Sequence, residues 1–286
     1  MKWASSVPAA WRPTPLVRAS LWAHGVGAPL LAAGVPGWPW LLGGLVLSHA
    51  VMAAGLHPHC QWVGPTLTRL PLPDAVALTF DDGPDPEATP RILDLLDAAG
   101  AQASFFCIGI RAVRHPALVA AIAARGHTVE NHTWSHPAMF AASGRRVLAA
   151  EVTRAQEVLT TLAGTAPRWM RAPAGLRTPL LEPVLAGAGL AHASWTRRAF
   201  DGRCADPACV AGRLIRRLAG GDILLMHDGS SARMAGGDVV AVAALPAVLD
   251  AIRARGLRAV ALAAPGARPA VAHAAENPAS GGYAST

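Results

Sequence analysis

Charge is scarce in this 286-residue chain. Asp, Glu, Lys and Arg make up 15% of it, against 52% hydrophobic residues, which is apolar for an enzyme that works in water. The shortage is local: between Arg18 and Arg69 there is no Asp, Glu, Lys or Arg. That gap holds two apolar stretches, 19–37 and 38–56, each long enough for the hydrocarbon core of a bilayer. "VPGWPW" lies between them and supplies a turn and interfacial tryptophans. A cleaved signal peptide would have a shorter apolar core that begins earlier. A helical hairpin buried in a soluble protein is the other alternative; a membrane anchor over residues 1–60 fits the composition best. His24, Gly25, Gly27 and Pro29 make the first stretch the weaker span.

Other absences narrow the function. The net charge is +7, yet no Lys/Arg block with interleaved aromatics occurs, so nucleic acid is not an expected partner. Anionic membrane lipids are the more natural use of the basic charge. Among Cys60, Cys107, Cys204 and Cys209 there is no CxxC pair; Cys204 and Cys209 are near enough in sequence to bridge in an oxidising compartment. No G-x-S-x-G elbow is present, which disfavours serine hydrolysis.

After a linker at 61–73 the pattern changes to short β-rich runs alternating with helix-period runs, through 74–264. "AVALTF", "ASFFCIG", "HTVE", "RWMRA", "LAHASW", "DILLMHD" and "LRAVALA" read as strands, most of them followed by an apolar periodic segment closed by glycine. Such alternation predicts an α/β fold, a parallel sheet covered by helices, and seven units suit a barrel-like closure. The tail, 265–286, is rich in Ala, Pro, Gly and Ser and reads as disordered.

Chemistry in such folds collects at the C-terminal ends of the strands. Asp81 and Asp82 end the first, His132 and His136 follow the third, and Arg171 ends the fourth. Asp201 follows the fifth and His227 ends the sixth. Two adjacent carboxylates repel each other unless a positive group lies close. "HTWSH" places His132 and His136 four apart, one helical turn, so that both imidazoles face one point. With one aspartate they would form a two-histidine, one-carboxylate site for zinc or a similar divalent ion, and the other aspartate could take a proton from water.

"TFDDGP", "HTWSH", "RAPAG" and "LLMHD", in this order and spacing, resemble the polysaccharide deacetylase family (the NodB-homology domain, carbohydrate esterase family four). The resemblance implies a distorted (β/α) barrel of about seven strands and metal-dependent removal of N-acetyl, sometimes O-acetyl or N-formyl, groups from sugars. It implies Asp81 as general base, Asp82 with His132 and His136 as metal ligands, and zinc as the usual ion. It further implies Arg171 as the partner that keeps Asp81 ionised, His227 as general acid, Leu225 in the acyl pocket and the Ala174 N–H as oxyanion donor. In "SWTRRAFDGR", Asp201 matches the aspartate that pairs with the catalytic histidine. Ala174 and Gly202 stand where aromatics are usual, and Arg198 where an acid is often found.

The expected substrate is therefore an amino sugar in a glycan or a lipid-linked saccharide, and the missing aromatics and the anchor favour one that is itself membrane-bound. An inactive metal-binding scaffold of envelope glycan machinery is the rival reading. By the positive-inside rule, Lys2, Arg12, Arg18 and Arg69 place the N-terminus in the cytoplasm. Two spans would make a multi-pass protein of a bacterial-type inner membrane with its catalytic domain facing the cytoplasm; one span would carry that domain to the periplasm.

Overall fold

The computed structural model describes residues 11–263; the expected tail at 265–286 and the charge at Lys2 lie outside them. Two antiparallel helices come first, α1 (Pro15–Ala32) and α2 (Trp38–Gly55). They meet through a Ser20–Ser48 hydroxyl pair at 2.9 Å and through the contact of Gly27 with Leu45. Of the described helices one, α2, is long and apolar enough to cross a membrane, with a mean hydropathy of 1.2. This corrects the expectation of two spans. The first helix starts earlier than the apolar stretch and takes in Arg18, then stops at Ala32, so its helical window is less apolar. Among the described residues no second helix of that length and hydropathy supports a multi-pass arrangement.

The remainder alternates strand and helix. The strands are β1 (Ala75–Asp81), β2 (Ala103–Cys107), β3 (Thr128–Asn131), β4 (Trp169–Met170), β5 (Ala191–His192), β6 (Arg197–Arg198), β7 (Ile223–His227) and β8 (Arg258–Val260). They are ordered β5-β4-β3-β2-β1-β7-β6, with β8 beside β1, and the pairings between these strands are parallel. The sheet curls into a half-barrel with helices outside, as the alternation predicts. Every residue of β1 and β7 is buried, which is why these strands read as unbroken apolar runs: a parallel sheet is covered on both faces.

The outer face packs on helices. One of them, α3 (Ala88–Ala98), buries Thr89, Ile92, Leu93 and Leu96, an amphipathic stripe at helical spacing, and Gly100 ends it at φ 59°. The long α6 (Arg145–Ala163) buries Leu148, Val152, Ala155 and Leu159 and is stopped by Gly164 at φ 70°. The inner face holds a second core that includes Leu67, Ala77, Phe106, Trp195 and Leu225. Strand β6 was not expected from sequence, since two residues carry no period.

The 61–73 segment follows the helical hairpin in sequence order but is not a loose tether. Leu67 pairs in parallel with Ala193, its N–H donating to the His192 carbonyl at 2.9 Å while its own carbonyl accepts from Ser194 N at 2.8 Å. The guanidinium of Arg177, fully buried, donates to the carbonyls of Cys60, Gly64 and Pro65 and to the Glu182 carboxylate. Cys204 and Cys209 both carry free thiols.

Candidate active site

Strand β1 delivers Asp81 to the C-terminal edge, where it is in register with His227 of β7. Residues paired in register across parallel strands point to the same face, so acid and imidazole stand side by side over the inner core. Arg171, at the end of β4 and fully buried, closes the other flank. Its Nη1 meets Asp81 Oδ1 at 2.6 Å and also Thr79 Oγ1 at 2.9 Å. Its remaining donors go to the Ala193 and Ser194 carbonyls at 3.3 and 2.8 Å, and its guanidinium lies over the Phe106 ring at 4.1 Å. A buried charge is tolerable when paired and hydrogen-bonded in this way.

Asp82 leaves the strand at φ 72°, a left-handed backbone that a non-glycine residue adopts only at a cost. In a continuing strand Asp82 would point away from Asp81. The turn instead brings both carboxylates to His132, whose Nε2 lies 3.2 Å from Asp82 Oδ1 and 4.0 Å from Asp81 Oδ2. What holds the turn is legible in the packing. The Asp82 carbonyl accepts from Arg111 Nη1 at 2.7 Å, and a Cβ on Gly83 would lie 2.0 Å from the Asp228 carboxylate.

The histidine pair converges by a different route from the one expected. "HTWSH" is not helical: it is a loop after β3 in which Thr133 and His136 have φ of 67° and 54°. Asn131 Oδ1 caps Thr133 N at 2.9 Å, Thr133 Oγ1 accepts from His136 N at 3.0 Å, and Glu151 holds Ser135. The two rings end 4.9 Å apart. Ligand atoms of Asp82, His132 and His136 lie within 4.8 Å of one another.

These residues fit a divalent metal ion. His132 Nδ1 is 2.8 Å from the Arg171 carbonyl, which can only accept, so that nitrogen carries the proton. In the neutral imidazole Nε2 then presents a lone pair to Asp82 Oδ1, and His136 Nε2 approaches the same oxygen at 3.4 Å. Asp82 Oδ1 is buried with no hydrogen-bond partner. Three electron-pair donors around one point are satisfied by a cation. Without one, burial opposes ionisation of Asp82, but positive charge on His132 beside it, with His227 and His136, would hold its carboxyl well below the usual range.

On the opposite flank Asp201, completely buried, accepts from His227 N at 2.8 Å and faces His227 Nδ1 at 2.7 Å. Burial alone would push the imidazole towards neutrality; the Asp201 hydrogen bond and charge, then Asp81 and Asp82, outweigh it and lift the pKa to about 9. Nδ1 is committed to Asp201, so Nε2 is the nitrogen left to face a substrate. Leu225 is buried on the inner face beside Thr79. Ala174 is exposed in the "RAPAG" turn at φ 55°, and Gly175 behind it has no room for a Cβ between Trp195 and Pro58.

Asp228 is a site residue that motif reading passed over. It is buried directly after His227, accepts from Thr89 Oγ1 at 2.7 Å, and supports the "DDGP" turn from beneath. Burial first, then the Asp82 charge, lift its carboxyl to about 7. Its place in "LLMHD" was visible, but its partner Thr89 belongs to a helix far away in sequence.

The family model for polysaccharide deacetylase matches residues 71–193. Peptidoglycan-N-acetylglucosamine deacetylase from Bacillus cereus is 33% identical over 190 residues, 65% of this chain and 66% of that protein. Chitooligosaccharide deacetylase from Sinorhizobium fredii is 36% identical over 156 residues, 54% of this chain and 72% of its own length. The chain belongs to the polysaccharide deacetylase family. Among solved structures, a family 4 carbohydrate esterase from Streptomyces lividans in complex with acetate superposes with a TM-score of 0.59 at 30% identity, covering 66% of this chain and 92% of that one. The deacetylase is thus a hydrolase acting on carbohydrate, and its family match begins after the helical hairpin.

Proposed function

We propose that this deacetylase removes the N-acetyl, or N-formyl, group from an amino sugar of a glycan or lipid-linked saccharide, with zinc held by Asp82, His132 and His136, and that α2 anchors it to a bilayer. The observation that carries this reading is the register of Asp81 with His227 beside the unpartnered Asp82 Oδ1: a base, an acid and a cation site around one cleft. A divalent ion held there supplies Lewis-acid charge for the amide carbonyl and makes water more acidic. The residues do the rest. Arg171 pairs with Asp81 Oδ1 and orients the carboxylate, so Asp81 Oδ2, left free of that ion pair, accepts the proton of the attacking water. The Ala174 N–H is the oxyanion donor, and Leu225 takes the methyl of the acyl group. His227, held as imidazolium by Asp201, gives its Nε2 proton to the departing nitrogen, which leaves as an amine.

The absence of aromatic walls at Ala174 and Gly202, together with α2, supports a membrane-bound substrate. The scaffold reading has no observation in its favour, since base, acid, arginine and three ligands are all in place. The test is mass spectrometry of membrane glycolipid and cell-wall extracts from cells with and without the protein. One acetyl or formyl group fewer per sugar is the expected shift; identical extracts, with an inactive purified zinc-loaded protein, would overturn the reading.

A further inference from the structure

Strand β6 carries two arginines with opposite fates. Arg197 turns away from the cleft, pairing with Asp222 at 2.5 Å and donating to the Arg216 and Arg217 carbonyls. Arg198 is in register with Leu225 and so lies on the inner face with Thr79, which is itself paired with Leu225. Its guanidinium sits between two aromatic rings, 5.4 Å from the centre of Trp195 and 5.1 Å from that of Phe200. Among the described residues it forms no ion pair, and its Nε is buried without a hydrogen-bond partner.

That is costly for an arginine, and the neighbourhood does not relieve it. Asp201 gives both oxygens to His227, Asp81 is held by Arg171, and Arg171 adds a like charge nearby. The fully buried Arg171 and Arg177 each meet a carboxylate; Arg198 is half-buried and meets none. A half-buried guanidinium that lies over aromatic faces and is left without an anion is pre-organised for an oxyanion brought by a ligand.

The position in the fold says which oxyanion. Trp195 neighbours both Arg198, 5.4 Å from its ring centre, and the His59 ring, 5.8 Å away. His59 lies four residues beyond the end of α2, and Pro58 packs where a Cβ on Gly175 would go. The end of the cleft that holds Arg198 is therefore the end at which the candidate membrane helix leaves, where the carrier side of a lipid-linked sugar would lie.

We propose that Arg198 binds the phosphodiester that joins the amino sugar to its lipid carrier, so that the substrate is a lipid-linked acylamino sugar and not a neutral glycan. This rests on the deacetylase reading of the cleft. The test uses the full chain in nanodiscs, loaded with zinc, and three acylamino sugars: a short-chain alkyl phosphodiester, a neutral alkyl glycoside and a neutral glycoside bearing a carboxylate. Arg198→Ala is expected to lower kcat/KM for the phosphodiester on the order of 10- to 100-fold, mainly through KM, as for loss of one charge-assisted contact. The neutral glycoside should change less than about threefold, and Arg198→Lys should restore part of the phosphodiester rate. Calorimetric titration with the phosphodiester gives the same comparison without turnover: tighter binding to the wild type than to Arg198→Ala. Equal losses on all three sugars, or no loss, overturn the proposal. The same Arg198 dependence for the carboxylate sugar alone assigns the anion to the glycan and overturns the lipid linkage. Binding that depends on Arg198 with no hydrolysis of any sugar leaves the anion site standing and overturns the deacetylase reading.

Discussion

The helical hairpin and the catalytic domain invert each other. The hairpin turns apolar side chains outwards: Trp22 is 72% exposed, Trp40 86% and Leu47 63%, while Ser20 meets Ser48 and His24 meets His49 edge to face across the two helices. The catalytic domain buries Phe80, Phe105 and Leu78, yet it also buries Arg171, Arg177, Asp201 and Asp228. The difference teaches what each part has for a solvent. Apolar surface left in water is unfavourable by roughly 25 cal/mol per Å², so a hairpin with that exterior agrees with the membrane anchor proposed above. Charges are buried only where partners or chemistry compensate them: Arg171, Asp201 and Asp228 line the cleft, and Arg177 clamps the 60–65 backbone.

The strongest way to break this comparison is to take away the inward charges. Asp81→Asn and His227→Ala should each lower kcat by ~10²–10⁴, the usual worth of a positioned base or acid, while metal content by plasma emission spectroscopy stays unchanged. Asp82→Ala should instead lose both the ion and turnover. Retention of metal in Asp82→Ala with its loss in Asp81→Asn would reverse the two roles.

The boundary between the regions is the next point of attack. A chain starting at Leu56 should leave the membrane fraction and keep its melting temperature, because Arg177 retains the carbonyls of Cys60, Gly64 and Pro65. Starting at Leu67 strips those acceptors, and each buried donor left unsatisfied costs ~1–3 kcal/mol. A chain starting at Leu67 that melts like the one from Leu56 would show that the clamp is dispensable.

Proton chemistry sharpens the contrast more gently. The folded pKa of His227 is raised from 6.5 to about 9, so the stability its imidazolium contributes is fully present below pH 6.5 and is lost as pH rises through about 9. Turnover should fall over the same upper window, and Asp201→Asn should move that basic limb to lower pH, measured as kcat against pH. An unmoved limb would remove Asp201 from its assigned role. The smallest effect belongs to the hairpin: Ser48→Ala breaks one interhelical hydrogen bond and should cost on the order of 0.6 kcal/mol, read as a modest loss of hairpin stability in detergent titration.

Much of the architecture was legible because it depends on short-range periodicity. The seven expected strand runs correspond to β1–β5, β7 and β8. The two-residue β6 was not legible, because it exists only through pairing with β7. The first apolar stretch misled because composition was counted over 19–37, whereas the helix runs from Pro15 to Ala32 and so includes Arg18.

The sequence by itself determined the alternation of strand and helix, the apolar α2 and the identities of the acids, histidines and arginines at the strand ends, since local composition and spacing encode these. Only the tertiary structure decided how those residues meet. A left-handed Asp82 turns two neighbouring carboxylates into one cleft, and positive φ at Thr133 and His136 aims two imidazoles that no helical turn connects. Sheet register sets Asp81 beside His227, and it leaves Arg198 on the inner face with its neighbouring acids already taken. These are long-range outcomes: each depends on which distant strand or loop packs alongside, and no local pattern in a single chain records that.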